Sequence, residues 1–369
     1  MAEPLTVLRE DIGVATHRQL MWRRFRRHRM AMAGGILVIL FYLGALAADF
    51  LAYSDPLDTE AQRSLMPPRP IHFFDQGRLS LHVYGITGKR DPVSFKRVYV
   101  EDPDVKIPVR LFARGYTWRF LGLIRTDLHL IGAEGARAEE ALSLLGSDTL
   151  GRDLWSRLMI GTRTSLTIGL LSVTISLFLG ILLGGLSGYY SGTVDVIIQR
   201  LIEIIRSIPT IPLWMGLAAA LPREWGVMQV YFAITIIISL IGWTELARVV
   251  RGKFLSLRQE DFVIAARLAG CRQIRIIFRH MVPSFLSHII AATTLAIPAM
   301  IISETALSFL GLGLRPPAIS WGVLLQDAQT IQTLAISPWL LIPAVPVIIV
   351  ILALNFLGDG LRDAADPYA

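Results

Sequence analysis

Long uncharged stretches alternate with charged segments along this chain of 369 residues. Five stretches contain no Asp, Glu, Lys or Arg, and each approaches or exceeds the roughly 20 apolar residues that a bilayer-spanning helix needs. A sixth candidate, residues 195–221, carries its charges in its first half. The pattern predicts an all-α membrane protein with six transmembrane helices. The five uncharged stretches are residues 30–48, 164–194, 226–244, 281–303 and 328–358.

The charge of the connecting segments predicts how the chain crosses the membrane. The first 30 residues hold seven arginines against three acidic residues, and residues 248–279 hold eight Lys or Arg against two acidic residues. Short basic loops remain in the cytoplasm, so we expect both segments there. Residues 51–160, with 15 basic and 14 acidic residues, are then external. Six spans place both termini in the cytoplasm.

Composition narrows the class of protein further. A chain with 53% hydrophobic and 18% charged residues is too apolar for an ordinary soluble domain. The arginines flank apolar stretches and are not interleaved with aromatic residues, so the net charge of +7 does not indicate nucleic-acid binding. Cys271 is the single cysteine, which excludes a disulfide framework. Cleavage at Ala45-Leu46-Ala47 is an alternative to our interpretation of a retained first span.

These patterns divide the chain into segments. Turn-forming prolines separate three strand-like runs, residues 79–84, 95–100 and 105–112, so we expect a small and partly β external insert. Residues 134–145 have a helical pattern. The predicted order is a basic cytoplasmic segment 1–29, a first transmembrane helix 30–51, a periplasmic insert 52–160, a membrane core 161–358 with a cytoplasmic loop 250–283, and a cytoplasmic tail 359–369.

The basic loop carries the first candidate site. Five small or apolar residues recur at helical spacing and predict one smooth face on which another protein could approach the backbone. Pro283 is expected to end this helix before the next span. An ordinary amphipathic helix on the membrane surface explains the same spacing, so the pattern alone leaves both interpretations open. The face comprises Phe262, Val263, Ala266, Ala269 and Gly270.

Several motifs resemble those of one family. IAA at 264–266, followed by Gly270 and Pro283, resembles the EAA loop of ABC-importer permeases, with Ile264 in place of the glutamate. Four further segments are similar to the second, C-type permease of the dipeptide, oligopeptide and nickel branch. They are LGSDTLGRD at 145–153, WTELARVVRG at 243–252, ETALSFLGLG at 304–313 and NFLGDGLRD at 355–363. The resemblance covers roughly residues 20–55 and 143–369.

The resemblance implies a fold, a function and a set of partners. It implies a type I ABC importer permease fold in a bacterial inner membrane, paired with a homologous permease, two ATP-binding subunits and an external solute-binding protein. The chain has no G-x-x-x-x-G-K-[ST] loop, so partner subunits would bind ATP and Mg²⁺, and no catalytic residue or cofactor is expected here. The long insert, with FARGY at 112–116, looks like a subset linked to peptides and could serve docking, gating or only as a passive cap.

The same resemblance points to particular residues. An ATPase-coupling role is implied for Ala265, Ala266, Arg267, Gly270, Arg275 and Pro283.

The residue types themselves suggest a pore or gate role for three further residues. Glu304 is one, because ionisable groups in a bilayer are costly, and Pro209 and Pro298 are the others, because proline kinks helices. Structural roles for these three are the alternative. His72, His82 and His129 lack metal-ligand spacing, so no metal site is expected.

Other functions remain open from the sequence. The same class of importer could carry nickel, an opine or an oligosaccharide instead of a peptide. An ion-coupled secondary transporter would show inverted repeats and broken or acidic helices near the membrane centre, and neither is evident. A membrane-anchored receptor would leave five of the six spans without a purpose.

Overall fold

The computed structural model describes residues 17–75, 78–90, 92, 97–120, 122–133 and 142–365. Helices dominate this part of the chain, with short 3₁₀ turns at Ala61–Arg63, Asp327–Gln329 and Pro338–Leu341. The helices are α1 (His17–Arg27), α2 (Arg29–Leu46), α3 (Ala48–Leu51), α4 (Leu154–Tyr190), α5 (Gly192–Ser207), α6 (Thr210–Ala219), α7 (Val227–Leu257), α8 (Asp261–Leu268), α9 (Leu286–Phe309), α10 (Trp321–Gln326), α11 (Ile331–Ile336) and α12 (Ala344–Ala365).

Five helical segments of the described chain are long and apolar enough to cross a membrane, namely α2, α4, α7, α9 and Pro338–Ala365. The sixth predicted span is not one helix, because α5 and α6 meet at an angle of 86°. Pro209 lacks an N–H and restricts the preceding residue to an extended conformation. Ile208 accordingly has φ −90° and ψ 131°. The described residues contain six spans if this bent pair is counted as one.

Close approach of α4 and α7 forms the centre of the membrane part. A Cβ added at Gly184 would lie 2.4 Å from the backbone oxygen of Ala247, and one at Gly180 would lie 2.7 Å from the Cβ of Leu246. Small residues at such spacing let two membrane helices pack backbone to backbone. Across the same interface Ser176 donates from its hydroxyl to the backbone oxygen of Ser239, at 3.1 Å.

The insert folds as one antiparallel sheet in the order β1 (His72–Asp75), β2 (Arg78–Arg90), β3 (Arg97–Phe120) and β4 (Ile124–Ala133). The all-α class therefore holds for the membrane part only. The runs predicted at 95–100 and 105–112 belong largely to the single strand β3, which shifts register opposite Tyr84 and Gly85 and so passes through Asp102-Pro103 without ending. The strand β4 was not predicted. Residues 134–141 of the predicted helix lie outside the described residues, and residues 142–145 are not helical.

Both ends of the insert are fastened to the start of α4. The Tyr53 hydroxyl donates to Asp153 Oδ1 at 2.6 Å and accepts from the Leu144 backbone N–H at 3.1 Å. Asp153 also caps α4 by accepting from the Ser156 backbone N–H at 2.7 Å. Burial raises the pKa of Asp153 to about 6, although these hydrogen bonds act in the opposite direction. The cap starts α4 at Leu154, before the predicted end of the insert at residue 160.

The two ends of the chain pack together beside α2. Phe25, on the basic helix α1, belongs to a buried cluster with Ala31 of α2 and Ala364 of α12. A Cβ added at Gly360 would lie 2.1 Å from the Cβ of Ala31, so this contact needs glycine. The helix α12 continues to Ala365, well into the segment predicted as a short polar tail.

Candidate coupling loop and membrane groove

The loop between α7 and α9 is a folded unit. Val263 of α8 is fully buried and shares a hydrophobic cluster with Phe254 of α7 and Ile276. After α8 the chain continues through short turns at Gln273–Arg275, Ile276–Met281 and Val282–Ser284 before α9 begins. This cluster packs α8 against the end of α7, so any separate movement of α8 would have to take Val263 out of its buried contacts.

The outward surface of α8 differs from the predicted face. Val263 is buried and Ala266 is half-buried, so two of the five predicted residues face the chain itself. Phe262, Ala269 and Gly270 of the predicted face are exposed. Ile264, Ala265 and Leu268 are exposed as well, and their i, i+1 and i+4 spacing places them together on one side of a helix. Ile264 is 43% exposed and Leu268 is 84% exposed. We call these three residues the loop patch. Helical spacing alone does not distinguish an exposed leucine from a buried one, so the sequence did not single out Leu268.

Gly270 ends α8. Its φ of +72° lies in the left-handed region that favours glycine. The Cys271 backbone N–H then donates to the Ala266 backbone oxygen at 3.1 Å, which closes the turn. The prediction that Pro283 ends this helix is therefore wrong. Pro283 lies instead in the turn Val282–Ser284, which leads into α9.

Arginines and polar groups connect the loop to α4. The Arg267 guanidinium carbon lies 4.9 Å from the centre of the Tyr189 ring, a cation–π contact. Tyr190 donates from its hydroxyl to Gln273 Oε1 at 2.6 Å. Arg275 is exposed. The structure thus brings Ala265, Ala266, Arg267 and Gly270 together on or beside α8, while Arg275 and Pro283 follow in the later turns.

Glu304 lies away from the loop, inside the membrane part. Its side chain has no exposed surface and accepts hydrogen bonds from Ser165 Oγ at 3.0 Å and from Ser308 Oγ at 2.8 Å. Ser165 Oγ also accepts from the Trp321 backbone N–H at 3.1 Å, so the network joins α4, α9 and α10. A pore or gate role for Glu304 stays a prediction. In this conformation such a role would require the network to open.

The two prolines singled out from the sequence occupy different places. Pro209 is exposed and stands at the bend between α5 and α6. Pro298 is buried within α9, where it cannot donate a backbone hydrogen bond to the preceding turn. The structure does not bring Pro209, Pro298 and Glu304 together into one site. Their pore or gate role remains a prediction.

Comparison with known proteins connects this geometry to a family. Residues 176–368 match the family described as "Binding-protein-dependent transport system inner membrane component", and residues 16–68 match the N-terminal TM domain of oligopeptide transport permease C. The chain belongs to the binding-protein-dependent inner-membrane transport components. This membership confirms the predicted importer permease fold and the prediction of a membrane transport subunit rather than an enzyme.

Individual relatives agree with this family. The oligopeptide transport system permease protein OppC of Haemophilus influenzae is 40% identical over 243 residues, which cover 66% of this chain and 75% of that protein. The glutathione transport system permease protein GsiD of Pectobacterium atrosepticum is 32% identical over 368 residues, which cover 100% of this chain and 96% of that protein. Among solved structures, the MetNI methionine ABC transporter in inward-facing form has a TM-score of 0.46 at 17% identity, covering 56% of this chain and 95% of that chain.

A groove in this permease was not predicted from its sequence. It has a volume of about 350 Å³ and lies between α6, α7 and α9. Among the residues that the structure describes, Glu245 of α7 is the one ionisable residue that lines it, and an ion pair joins that side chain to Arg206 at the end of α5. We call this feature the membrane groove. The sequence offered one signal, a glutamate that directly follows the uncharged stretch 226–244. The main lining residues are Trp214, Ile238, Ile241, Gly242, Glu245, Leu246, Val249, Ala292, Leu295, Ala296, Ala299, Met300 and Ser303.

Proposed function

We propose that this chain is a pore-forming permease subunit of an ATP-driven importer that carries peptides from the periplasm to the cytoplasm by alternating access. The observation that carries the proposal is similarity along the whole chain to a glutathione permease, together with the shorter and stronger similarity to oligopeptide permeases. Glutathione is itself a tripeptide, so both kinds of relative point to the same class of cargo.

The partners follow from the absence of an ATP-binding loop in the sequence and from the family. A second, homologous permease completes the pore, two cytoplasmic subunits bind ATP and Mg²⁺, and an external solute-binding protein delivers the peptide. This arrangement requires an inner-membrane location with both termini in the cytoplasm. The basic loop 250–283 then faces the ATP-binding subunits, and the sheet of the insert faces the solute-binding protein.

The loop patch is the proposed contact with an ATP-binding subunit. Ile264, Ala265 and Leu268 are exposed apolar or small residues on a helix whose opposite side is buried. A partner that covers this patch would remove apolar surface from water, which stabilises association. Val263 and the Arg267–Tyr189 contact tie α8 to α7 and α4, so movement of the partner would pass to the membrane helices.

The proposal is tested by uptake of labelled peptides into vesicles that contain the complete complex and its solute-binding protein. ATP on the side of the ATP-binding subunits should drive accumulation of the peptide in the vesicles, whereas a non-hydrolysable ATP analogue should not. An uncoupler should leave this accumulation unchanged. Accumulation that collapses with the uncoupler and survives ATP removal would instead establish a secondary transporter. An intact complex with active ATPase and no peptide accumulation would refute the peptide cargo and direct the search to nickel, opines and oligosaccharides.

A further inference from the structure

The exposed apolar side chains of α5 and its exposed charged side chains lie on different sides of the helix. Ile197, Leu201 and Ile204 are 62%, 46% and 62% exposed and lie on one side of the helix. Arg200, Glu203 and Arg206 follow one another at intervals of three and lie on another side. Hydrocarbon accommodates the first side, whereas exposed charges in a bilayer are costly and face water or protein.

The charged side of α5 leads directly to the membrane groove. Arg206 pairs with Glu245, whose side chain is 68% exposed although it belongs to a membrane-spanning helix. Glu245 also lines the groove. The charged side of α5 and the groove therefore form one continuous surface. Because exposed charges are costly in hydrocarbon, we expect this surface to face water or protein.

The interior of the groove has the chemistry of a side-chain pocket. Ala292, Ala296 and Ala299 of α9 leave space opposite Ile238 and other apolar residues of α7. Its volume of about 350 Å³ lies within the range of roughly 300–1,000 Å³ that ligand pockets occupy. An apolar pocket with a single carboxylate at its rim suits a ligand that carries an apolar group next to a positive charge.

We propose that the membrane groove binds the first residue of a peptide in transit, with the apolar side chain between α7 and α9 and the terminal ammonium on Glu245. The ammonium replaces Arg206 as the partner of the carboxylate while the peptide is bound. This inference rests on the proposed function, because it assigns a specificity site to the peptide permease. It makes the permease selective in its own right, in addition to the solute-binding protein.

Charge favours a peptide over a lipid chain as the occupant of the groove, and a helix of the second permease is distinguished by the experiments below. A lipid chain would fill the apolar part but would leave Glu245 and Arg206 against hydrocarbon. A helix of the second permease would cover the groove permanently and would leave no room for a peptide. Each of these occupants predicts that the groove has no effect on which peptide is transported.

The charge is tested with Glu245→Gln in the complete complex, using Leu-Gly-Gly and its N-acetylated form. The measured quantity is the ratio of uptake kcat/KM for the free peptide to that for the blocked peptide. Dividing by the ratio for the unaltered chain with the same solute-binding protein cancels the selectivity of that protein. We expect Glu245→Gln to lower the ratio about tenfold, the scale for loss of a hydrogen bond to a charged group. The control Asp359→Asn removes an exposed carboxylate of α12 that does not line the groove, and it should leave the ratio unchanged.

The apolar pocket is tested with Ala299→Phe, which fills the groove from an exposed position on α9. We expect the preference for Leu-Gly-Gly over Gly-Gly-Gly to fall about tenfold, the scale for loss of a side-chain pocket. Ile302→Phe is the matched control, since Ile302 is exposed on the same helix but does not line the groove. Equal changes in both variants, or no initial preference in the unaltered complex, would overturn the inference.

A labelling experiment covers the case in which Ala299→Phe fails to assemble. In a Cys271→Ser background, Ala299→Cys provides a single thiol in the groove for a maleimide. Leu-Gly-Gly should slow its alkylation and N-acetyl-Leu-Gly-Gly should slow it less, without any solute-binding protein present. Equal alkylation with and without peptide would overturn the inference. Failure of the unaltered complex to accumulate any peptide with ATP would instead refute the proposed function itself.

Discussion

Truncation of Leu268 should uncouple ATP hydrolysis from uptake. Leu268 is 84% exposed in this chain, and fully burying a leucine side chain stabilises by about 1.5–3 kcal/mol. If an ATP-binding subunit covers it, Leu268→Ala loses most of that free energy, about 1.5–2 kcal/mol. Because 1.4 kcal/mol corresponds to a factor of ten, the affinity of the permease for the ATP-binding subunits should fall at least about tenfold.

The chain offers a matched control for this substitution. Leu123, near the tip of the external hairpin, is also 84% exposed. Leu123→Ala removes the same atoms at the same exposure from the turn between β3 and β4, outside the loop patch. The assay measures retention of the ATP-binding subunits on the purified permease and ATP hydrolysis per peptide transported. If Leu268→Ala and Leu123→Ala give the same retention and the same ratio, α8 does not present its loop patch to the ATP-binding subunits.

Three further substitutions follow from the fold. Gly270→Trp should leave the protein in the membrane, since no atom of the described residues lies within 4 Å of an added Cβ. It should uncouple ATP hydrolysis from uptake, because the indole covers the surface next to the loop patch and the left-handed φ of +72° disfavours any side chain there. Gly252→Trp, which is equally open but lies outside α8, is its control, and unchanged coupling in Gly270→Trp would contradict the docking model. Gly184→Leu should lower the melting temperature by separating α4 from α7, at roughly 1–3 kcal/mol for overpacking, whereas Gly216→Leu has open space and should melt normally. Asp153 has its folded pKa raised from 3.8 to about 6, so ionising it opposes folding. The penalty is small below about pH 4, grows as pH rises towards 6 and levels off above that at about 3 kcal/mol. Stability of the unaltered chain relative to Asp153→Asn should therefore fall as pH rises from 4 to 6, and a constant difference across that range would show that Asp153 is not a buried acid.

The membrane spans could be predicted because their signal, the hydrophobicity of the chain, is summed over about 20 residues in each span. Without water to satisfy the backbone N–H and C=O groups, an uncharged stretch of that length in a membrane has few alternatives to a helix. The break at Ile208 and Pro209 could not be located in the same way, since many membrane helices retain their direction at proline when neighbours satisfy the freed backbone groups. Here the extended backbone of Ile208 ends α5, and the neighbours of α6 determine the direction in which the chain continues.

The insert was harder to predict for a different reason. Alternation in β strands is a short-range signal, and β3 continues through Asp102-Pro103 by shifting its register opposite β2. The strand β4 has the sequence IRTDLHLIGA. Which of its side chains are buried depends on the neighbouring strand β3, so its sequence alone does not show a regular alternation. Partner strands therefore determine these elements, and a single segment carries little of that information.

The candidate site was predicted in place but not in orientation. Helical spacing found α8 and its small residues, yet both sides of such a short helix are apolar. Val263 faces inward because the cluster around Phe254 and Ile276 is available to it, while Leu268 has no such neighbour. The groove near Glu245 joins helices distant in sequence, so no local motif could have predicted it.

The fastening of the insert at Tyr53 has a consequence for how this kind of permease can diversify. One hydroxyl connects the segment that leaves α3 with the segment that returns at Leu144, and both meet the cap of α4. The two ends of the insert are therefore held side by side at one junction, and the sheet packs on the same Tyr53 through Val83, Val109 and Ala133. Evolution can change the outer parts of the sheet, such as the turn between β3 and β4, as long as the strand segments that contact Tyr53 are kept.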